Sequence, residues 1–200
     1  MSELTERAPG LPAGAAAGAS FAKAALLVAF AVLTIWIHYE VKFVRARGSG
    51  GTVQELGSTK VGAAAPDFSA LDLDGREVSL SALRDQKAAL LEFWATWCPP
   101  CRMVMATLHG MESELRAIAV EVFNMNEREP KDRVRAFVEK EGHDFRVLLD
   151  GDGAISDRYG VRSLPTMVLI DKRGIVRWIH VGHLPETGEL RDLLHRLAAE

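Results

Sequence analysis

The sequence predicts an α/β domain: a mixed β-sheet covered by helices on both faces, with an extra N-terminal β-hairpin and a single N-terminal transmembrane helix ahead of it. Three observations carry this. From residue 61 onward, short apolar strand-like runs alternate with stretches of helical periodicity. Two hairpin signals, Asp74-Gly75 and Lys172-Arg173-Gly174, bracket the alternating part. The run FAKAALLVAFAVLTIWIHY, residues 21–39, has no charged residue between Ala24 and Ile37. With 48% hydrophobic and 26% charged residues, the chain has enough apolar matter for a packed core and is not globally disordered. A net charge of −3 lacks the basic excess of a nucleic-acid binder, so no nucleic-acid partner is expected.

The chain changes character along its length. Residues 1–20 include APGLPAGAAAGAS and read as a flexible N-terminus. Residues 21–39 as a helix would be about 28 Å long, close to the ~30 Å hydrocarbon thickness. Trp36 and Tyr39 fall where an interfacial aromatic belt sits. A cleaved signal peptide is the competing reading. The small-residue pair Val44-x-Ala46, however, lies among Lys42, Arg45 and Arg47 and makes a poor cleavage site. Those three cations all lie within ten residues of the span, whereas on the N-terminal side Arg7 and the α-amine lie farther off and only Lys23 is close. Charge alone therefore leans weakly toward a cytoplasmic domain. Residues 40–60, with RGSGGT, read as a linker, and the globular domain is placed at 61–200.

Within the domain, residues 66–83 alternate around Asp74-Gly75 as a hairpin, and AALLEFW, 88–94, suits a central strand. Helical periodicity runs from Cys98 to about Ile118, with Met103, Leu108, Met111 and Leu115 as candidate buried positions. AVEVFNM, 119–125, is strand-like. PKDRVRAFVEKEG, 130–142, starts with Pro, aligns Val134, Phe137 and Val138, and ends in Gly, as a helix does. FRVLLD reads as a strand, GAISDRYG as a helical turn, 166–182 as a hairpin, and ETGELRDLLHRLAAE as a C-terminal amphipathic helix.

The chemistry is concentrated in EFWATWCPPCRMV, residues 92–104, which holds the only two cysteines. A strand running into a helix that begins C-x-x-C places Cys98 at the N-cap, beside unpaired N–H groups and the positive end of the helix dipole. Both favour the thiolate, the attacking species in thiol–disulfide exchange. Pro99 and Pro100 fit the first turn, where the missing N–H groups have no intrahelical acceptor. Cys101, one turn on, is expected to point inward and resolve a mixed disulfide. Glu92 stands six residues before Cys98 in an apolar strand. A carboxylate there is costly unless paired or protonated, and a raised pKa would suit a proton carrier serving Cys101. The competing reading is a glutamate reaching solvent from a sheet edge.

Other readings of the cysteine pair remain. Inert buried thiols do not require two prolines at a helix start. Zinc would need two more ligands, and the nearest histidine, His109, stands at C-x7-H, a spacing with no established geometry. Two thiolates suit Cu(I), so a copper-binding, metallochaperone-like role stays as an alternative. His143, His180, His183 and His195 are scattered and read as exposed or satisfied. No metal and no cofactor beyond a redox-active Cys98–Cys101 disulfide is expected.

These residues resemble the thioredoxin superfamily, in particular the membrane-tethered thiol–disulfide reductases of the TlpA/ResA type. The likeness covers residues 61–200. VGAAAPDFSALDLDGREVSLSAL looks like the entry hairpin that this group shares with the peroxiredoxins, FWATWCPPC like the redox motif, and YGVRSLPTMVLIDKRGIV like the segment of the cis-proline loop. The resemblance implies a thioredoxin fold with Pro165 in cis opposite the cysteines. It also implies a client-binding surface of Trp97, Pro99, Pro100 and Leu164. It implies a single-pass anchor in the inner (cytoplasmic) membrane, a domain facing the periplasm or cell exterior, and electrons supplied by a transmembrane donor. The implied clients are disulfides of periplasmic proteins in cytochrome c maturation or copper-protein assembly. Two positions depart from the pattern. Glu92 stands where the TlpA group often has Asn, and apolar residues near Val122 replace a lysine of cytosolic thioredoxins. A peroxiredoxin-like peroxidase is a further alternative, but Thr96-Trp97-Cys98 does not match the T-x-x-C peroxidatic motif.

Overall fold

The computed structural model describes residues 27–36, 50–142, 146–184 and 187–198. The chain divides into two units, residues 1–47 and 48–200. In the first, residues 27–36 form a helix, α1, whose large side chains Leu27, Val28, Phe30, Val32, Leu33, Ile35 and Trp36 are all exposed. The flanks of the expected span, 21–26 and 37–39 with Tyr39, lie outside the described residues, as do residues 40–49 and His143. Among the described residues no helix is long and apolar enough to cross a membrane.

The second unit opens with three short strands, β1 (Gly51–Val53), β2 (Glu55–Leu56) and β3 (Thr59–Lys60). Part of the stretch read as linker therefore belongs to the fold. β1 pairs antiparallel with the strand at 176–181, where the Thr52 hydroxyl accepts a hydrogen bond from Trp178 Nε1 at 3.0 Å. Composition reported the glycines of 48–51 but not this pairing partner, more than a hundred residues away. The hairpin follows as β4 (Ser69–Asp72) and β5 (Glu77–Ser79), then β6 (Ala88–Trp94), α2 (Pro99–Gly110), α3 (Glu112–Ala117), β7 (Val120–Glu127), α4 (Lys131–Glu141), β8 (Val147–Asp150), α5 (Ala154–Tyr159), β9 (Thr166–Ile170), β10 (Val176–Val181) and α6 (Thr187–Ala198).

Eight strands form one mixed sheet in the order β1-β10-β9-β6-β7-β8-β4-β5. β6, β7 and β8 run parallel, as two helical crossovers require, and the hairpin strands are antiparallel. β6 is buried along its whole length because β7 and β9 flank it and both its faces are covered. Side chains alternate between those faces. Leu91 and Phe93 join Phe68, Phe123, Ile155 and Tyr159 on one side. Leu90 faces Leu108, Leu115, Leu190 and Leu194 of α2, α3 and α6 on the other. Trp94 on that second side packs on Phe137 of α4 with ring centroids 5.5 Å apart.

The long helical period resolves into α2 and α3, separated at Met111 (φ −101°, ψ 0°). Leu108, Met111 and Leu115 are buried as expected, but Met103 is 59% exposed. The buried stripe of α2 is Cys101, Val104, Met105 and Leu108, an i, i+3, i+4, i+7 set that leaves position 103 on the outer side. α4 begins after Pro130 and ends at Gly142 in the left-handed region, with Val134, Phe137 and Val138 inward.

The β4–β5 and β9–β10 turns share one device. Asp72 accepts from the backbone N–H of Asp74 and Arg76, each at 2.9 Å, and from Arg76 Nε at 2.9 Å. Asp171 accepts from the N–H of Arg173 and Ile175, each at 2.9 Å, and from Arg177 Nε at 2.7 Å. Gly75 and Gly174 follow three residues after each acid, with φ of +83° and +80°. That sign of φ is why glycine stands at both.

Candidate redox site

The site forms where β6 ends and α2 begins. Cys98 is the N-cap of α2 with extended backbone (φ −96°, ψ 97°), and Pro99 and Pro100 occupy the first turn. Cys98 Sγ accepts from the Cys101 N–H at 3.3 Å, so the sulfur meets the unpaired N–H end of the helix. Cys98 and Cys101 are joined as a disulfide with their Cα atoms 5.4 Å apart, and no free cysteine is present. Both sulfur residues are enclosed: Cys98 is 3% exposed and Cys101 not at all. The contrast in exposure expected between them is present but small.

Around this pair, the exposed surface is made by Trp97, 66% exposed, with Pro99 exposed and Pro100 half-buried beside it. The Leu164–Pro165 peptide is cis. It lies at the start of β9, one residue beyond the Phe93–Thr166 pairing with β6. Leu164 packs against the cluster that contains both cysteines, Trp94, Met105 and Phe137. Pro165 is buried, and its carbonyl accepts from the Gly182 N–H at 2.8 Å. Of the residues named for the client surface, Trp97, Pro99 and Pro100 flank Cys98 in the chain, and Leu164 packs against the cluster that holds both cysteines.

Glu92 lies in the middle of the sheet, level with Asn124 of β7 and Met167 of β9, which rules out a sheet-edge glutamate reaching solvent. It is fully buried, and neither carboxylate oxygen has a hydrogen-bond partner. By strand alternation it shares its face with Leu90 and Trp94, the face covered by α2 and α4. Burial pushes its carboxyl well above the ordinary 4.5. The neighbour on β7 is not Val122 but Asn124, whose side-chain amide is turned to the Arg146 carbonyl at 3.2 Å. No cation offsets the burial.

His109 ends α2, about 12 Å along the axis from Cys101, and pairs with Glu112 at 3.7 Å. Among the described residues no three His, Cys, Asp or Glu side chains converge as metal ligands would. His180 is buried and satisfied, with Nε2 against the His183 carbonyl at 2.5 Å and its ring stacked on Trp178.

Sequence reading missed one part of the site. Thr96, two residues before Cys98, donates its N–H and its hydroxyl to the two carboxylate oxygens of Glu129, each at 2.6 Å. Glu129 is itself buried, and Asn126 Nδ2 donates to it at 2.9 Å. Thirty-three positions separate Thr96 from Glu129, and no local pattern links them.

A disulfide at the start of a helix, beside a cis-proline loop, on a sheet with this strand order, defines a thioredoxin-like redox protein. The chain belongs to the AhpC/TSA family, whose model matches residues 61–179. It is similar to the thiol-disulfide oxidoreductase ResA of Geobacillus thermodenitrificans, 39% identical over 128 residues, which cover 64% of this chain and 73% of that protein. ResA of Geobacillus kaustophilus is 38% identical over 139 residues, covering 70% and 79%. Among solved structures, a putative thiol:disulfide interchange protein DsbE from Chlorobium tepidum superposes with a TM-score of 0.64 at 31% identity, covering 72% of this chain and all of that one.

Proposed function

We infer that this protein is a ResA-like thiol–disulfide oxidoreductase that reduces disulfides of client proteins outside the cytoplasm. In this reading it is held at the inner membrane by residues 21–39 and recharged by a transmembrane electron donor. The observation that carries the chemistry is the Cys98–Cys101 pair at the N-terminus of α2, beside Leu164-Pro165. In the reduced protein the Cys98 thiolate attacks one sulfur of a client disulfide. The client's other sulfur leaves as a thiolate, and a mixed disulfide remains. Cys101 then loses its proton and attacks Cys98 Sγ, releasing the second client thiolate. Two electrons pass to the client, and the Cys98–Cys101 disulfide is left behind.

Cys101 is enclosed, so its proton needs a nearby acceptor. Glu92 carries the unpartnered carboxyl on the sheet face beneath α2, and burial moves its pKa toward that of a thiol. Where Glu92 is ionised, its raised pKa makes it a stronger acceptor for a thiol proton than an ordinary carboxylate. Trp97, Pro99, Pro100 and Leu164 form the surface against which a client segment would lie. The exposed apolar side chains of α1 support the anchor, because a hydrophobic surface of this extent is unfavourable in water. The ResA relatives, named thiol-disulfide oxidoreductases, support disulfide chemistry, and apocytochrome c or copper-delivery proteins are the client classes to test first.

The test is full-length protein expressed in a bacterial host. The chain is expected in the membrane fraction, Cys98→Ser is expected to abolish reduction of a model protein disulfide by dithiothreitol-recharged enzyme, and Cys101→Ser is expected to accumulate a mixed disulfide that identifies the client. Full activity in Cys98→Ser would overturn the redox reading. Recovery of a soluble chain shortened by about 45 residues would overturn the anchor.

A further inference from the structure

Resting on that dithiol reading, we propose that Glu129 is a positioning residue: its buried carboxylate clamps Thr96 and so holds the turn that presents Cys98 at the N-terminus of α2. The clamp has three sides. Glu129 Oε2 accepts from the Thr96 N–H and Oε1 from the Thr96 hydroxyl, each at 2.6 Å. Arg102 Nη2, one turn into α2, donates to the Thr96 carbonyl at 3.3 Å. Every polar group of Thr96 is therefore engaged. Behind the carboxylate, Asn126 Nδ2 donates to Oε2 at 2.9 Å, and Arg133 Nη1 stands 3.8 Å from Oε1. Glu129 thus ties the end of β7 and the start of α4 to the segment that leaves β6.

The consequence for Cys98 follows from chain connectivity. The Cys98 N–H donates to the Ala95 carbonyl at 3.1 Å, closing a turn over residues 95–98 with Thr96 as its second member. A fixed Thr96 fixes this turn, turns Trp97 outward, and sets Cys98 Sγ against the Cys101 N–H. A carboxylate suits this task because it offers about four acceptor directions and no donor, so three donors can converge on it. The charged and titratable groups around the turn and the first turn of α2 are Glu129 with Arg133, Arg102 with Glu141, and Glu92 on the sheet face beneath α2. Glu129 as a charge would disfavour the Cys98 thiolate. As a clamp it favours the thiolate, by keeping the sulfur at the helix end. The two roles shift the thiol in opposite directions, which makes them separable.

The experiment is the pH dependence of Cys98 alkylation by iodoacetamide in the reduced full-length protein, compared with Glu129→Gln, Thr96→Val and Thr96→Ser, with thermal unfolding recorded for each. A loosened turn is expected to raise the alkylation midpoint by about one pH unit in Glu129→Gln and by less in Thr96→Val, which keeps the bond from the Thr96 N–H to Glu129. A one-unit rise leaves about tenfold less thiolate near neutral pH. The more basic thiolate recovers about threefold in nucleophilicity, so reduction of a model disulfide should slow about threefold. Thr96→Ser keeps the hydroxyl and is expected to recover most of what Thr96→Val loses. A lowered midpoint in Glu129→Gln would mean that Glu129 acts as a charge, and would overturn the clamp. Lower unfolding temperatures with an unmoved midpoint in every variant would make Glu129 merely structural, and would also overturn it. The alkylation profile needs no client, so it stands or falls separately from reductase activity, whose own failure would show in the parent protein.

Discussion

Asp72 and Asp171 at the two hairpin turns and Glu92 in the central strand are all buried acids, yet they hold opposite protonation preferences. Burial by itself raises the pKa at all three. At Asp72 the N–H and guanidinium of Arg76 and the N–H of Asp74 outweigh burial, and the carboxyl lies below its ordinary 3.8. At Asp171 the Ile175 N–H, the Arg177 guanidinium and the Arg173 N–H do the same. Glu92 has no donor at either oxygen, and burial acts alone. A buried carboxylate with donors is a turn-building device. A buried carboxyl without them is costly to ionise, persists at the price of stability at neutral pH, and stands where the proposed chemistry must move a proton.

The largest expected effect breaks the functional half of this contrast. Glu92→Gln removes the proton acceptor while keeping the shape, and the resolving step by Cys101 should slow about a hundredfold, within the range typical of general acid–base groups. Single-turnover release of client from the mixed disulfide measures it, and a parent-like rate would remove Glu92 from the mechanism. The same variant should be more stable than the parent at neutral pH. Because the folded pKa is raised, the native state keeps a proton that the unfolded chain releases above about pH 4.5. Parent stability is therefore full below that pH and falls as pH rises through the folded value. Urea unfolding of the oxidised protein, in which neither cysteine titrates, should show the advantage of Glu92→Gln growing from pH 5 to pH 8.

The turn acids should respond with the opposite sign. Asp72→Ala and Asp171→Ala each leave backbone N–H groups without their acceptor, and should cost about 2 kcal/mol, or about 6 °C in unfolding temperature. Their lowered folded pKa values mean that this stability is present above the ordinary 3.8 and lost as pH falls through the folded value. The deficit of each variant against the parent should shrink in acid. Reduction rate per folded molecule should not change. A deficit that grows in acid would contradict the turn assignment.

The smallest effect isolates the turn backbone from its carboxylate. At Gly75 no atom lies within 4 Å of an added Cβ, and at Gly174 the nearest is Arg84 Nε at 3.5 Å, an ordinary contact. Alanine at either position should therefore cost only the left-handed backbone penalty, about 1 kcal/mol, with no pH dependence. A larger loss measured by denaturant unfolding would mean that the turn tolerates no side chain for a reason other than φ.

What the sequence determined by itself was set by rules that act within a few residues. Two prolines between cysteines are tolerated at a helix start and not in its interior, so Cys98 at an N-cap was legible. Asp74-Gly75 and Lys172-Arg173-Gly174 marked both hairpins, and Pro130 with Gly142 marked the ends of α4. Other features depend on groups far apart in the chain, which only folding brings together. β1 belongs to the sheet because Thr52 meets Trp178 and His180. Met103 faces outward because the sheet meets the stripe through Cys101, Val104, Met105 and Leu108. Glu92 prefers its proton because β7, β9 and the covering helices enclose it and none of them supplies a donor. Glu129 reaches Thr96 only because the end of β7 runs beside the end of β6. Local backbone preference is encoded residue by residue, whereas desolvation and long-range hydrogen bonds are properties of what the fold packs around a side chain.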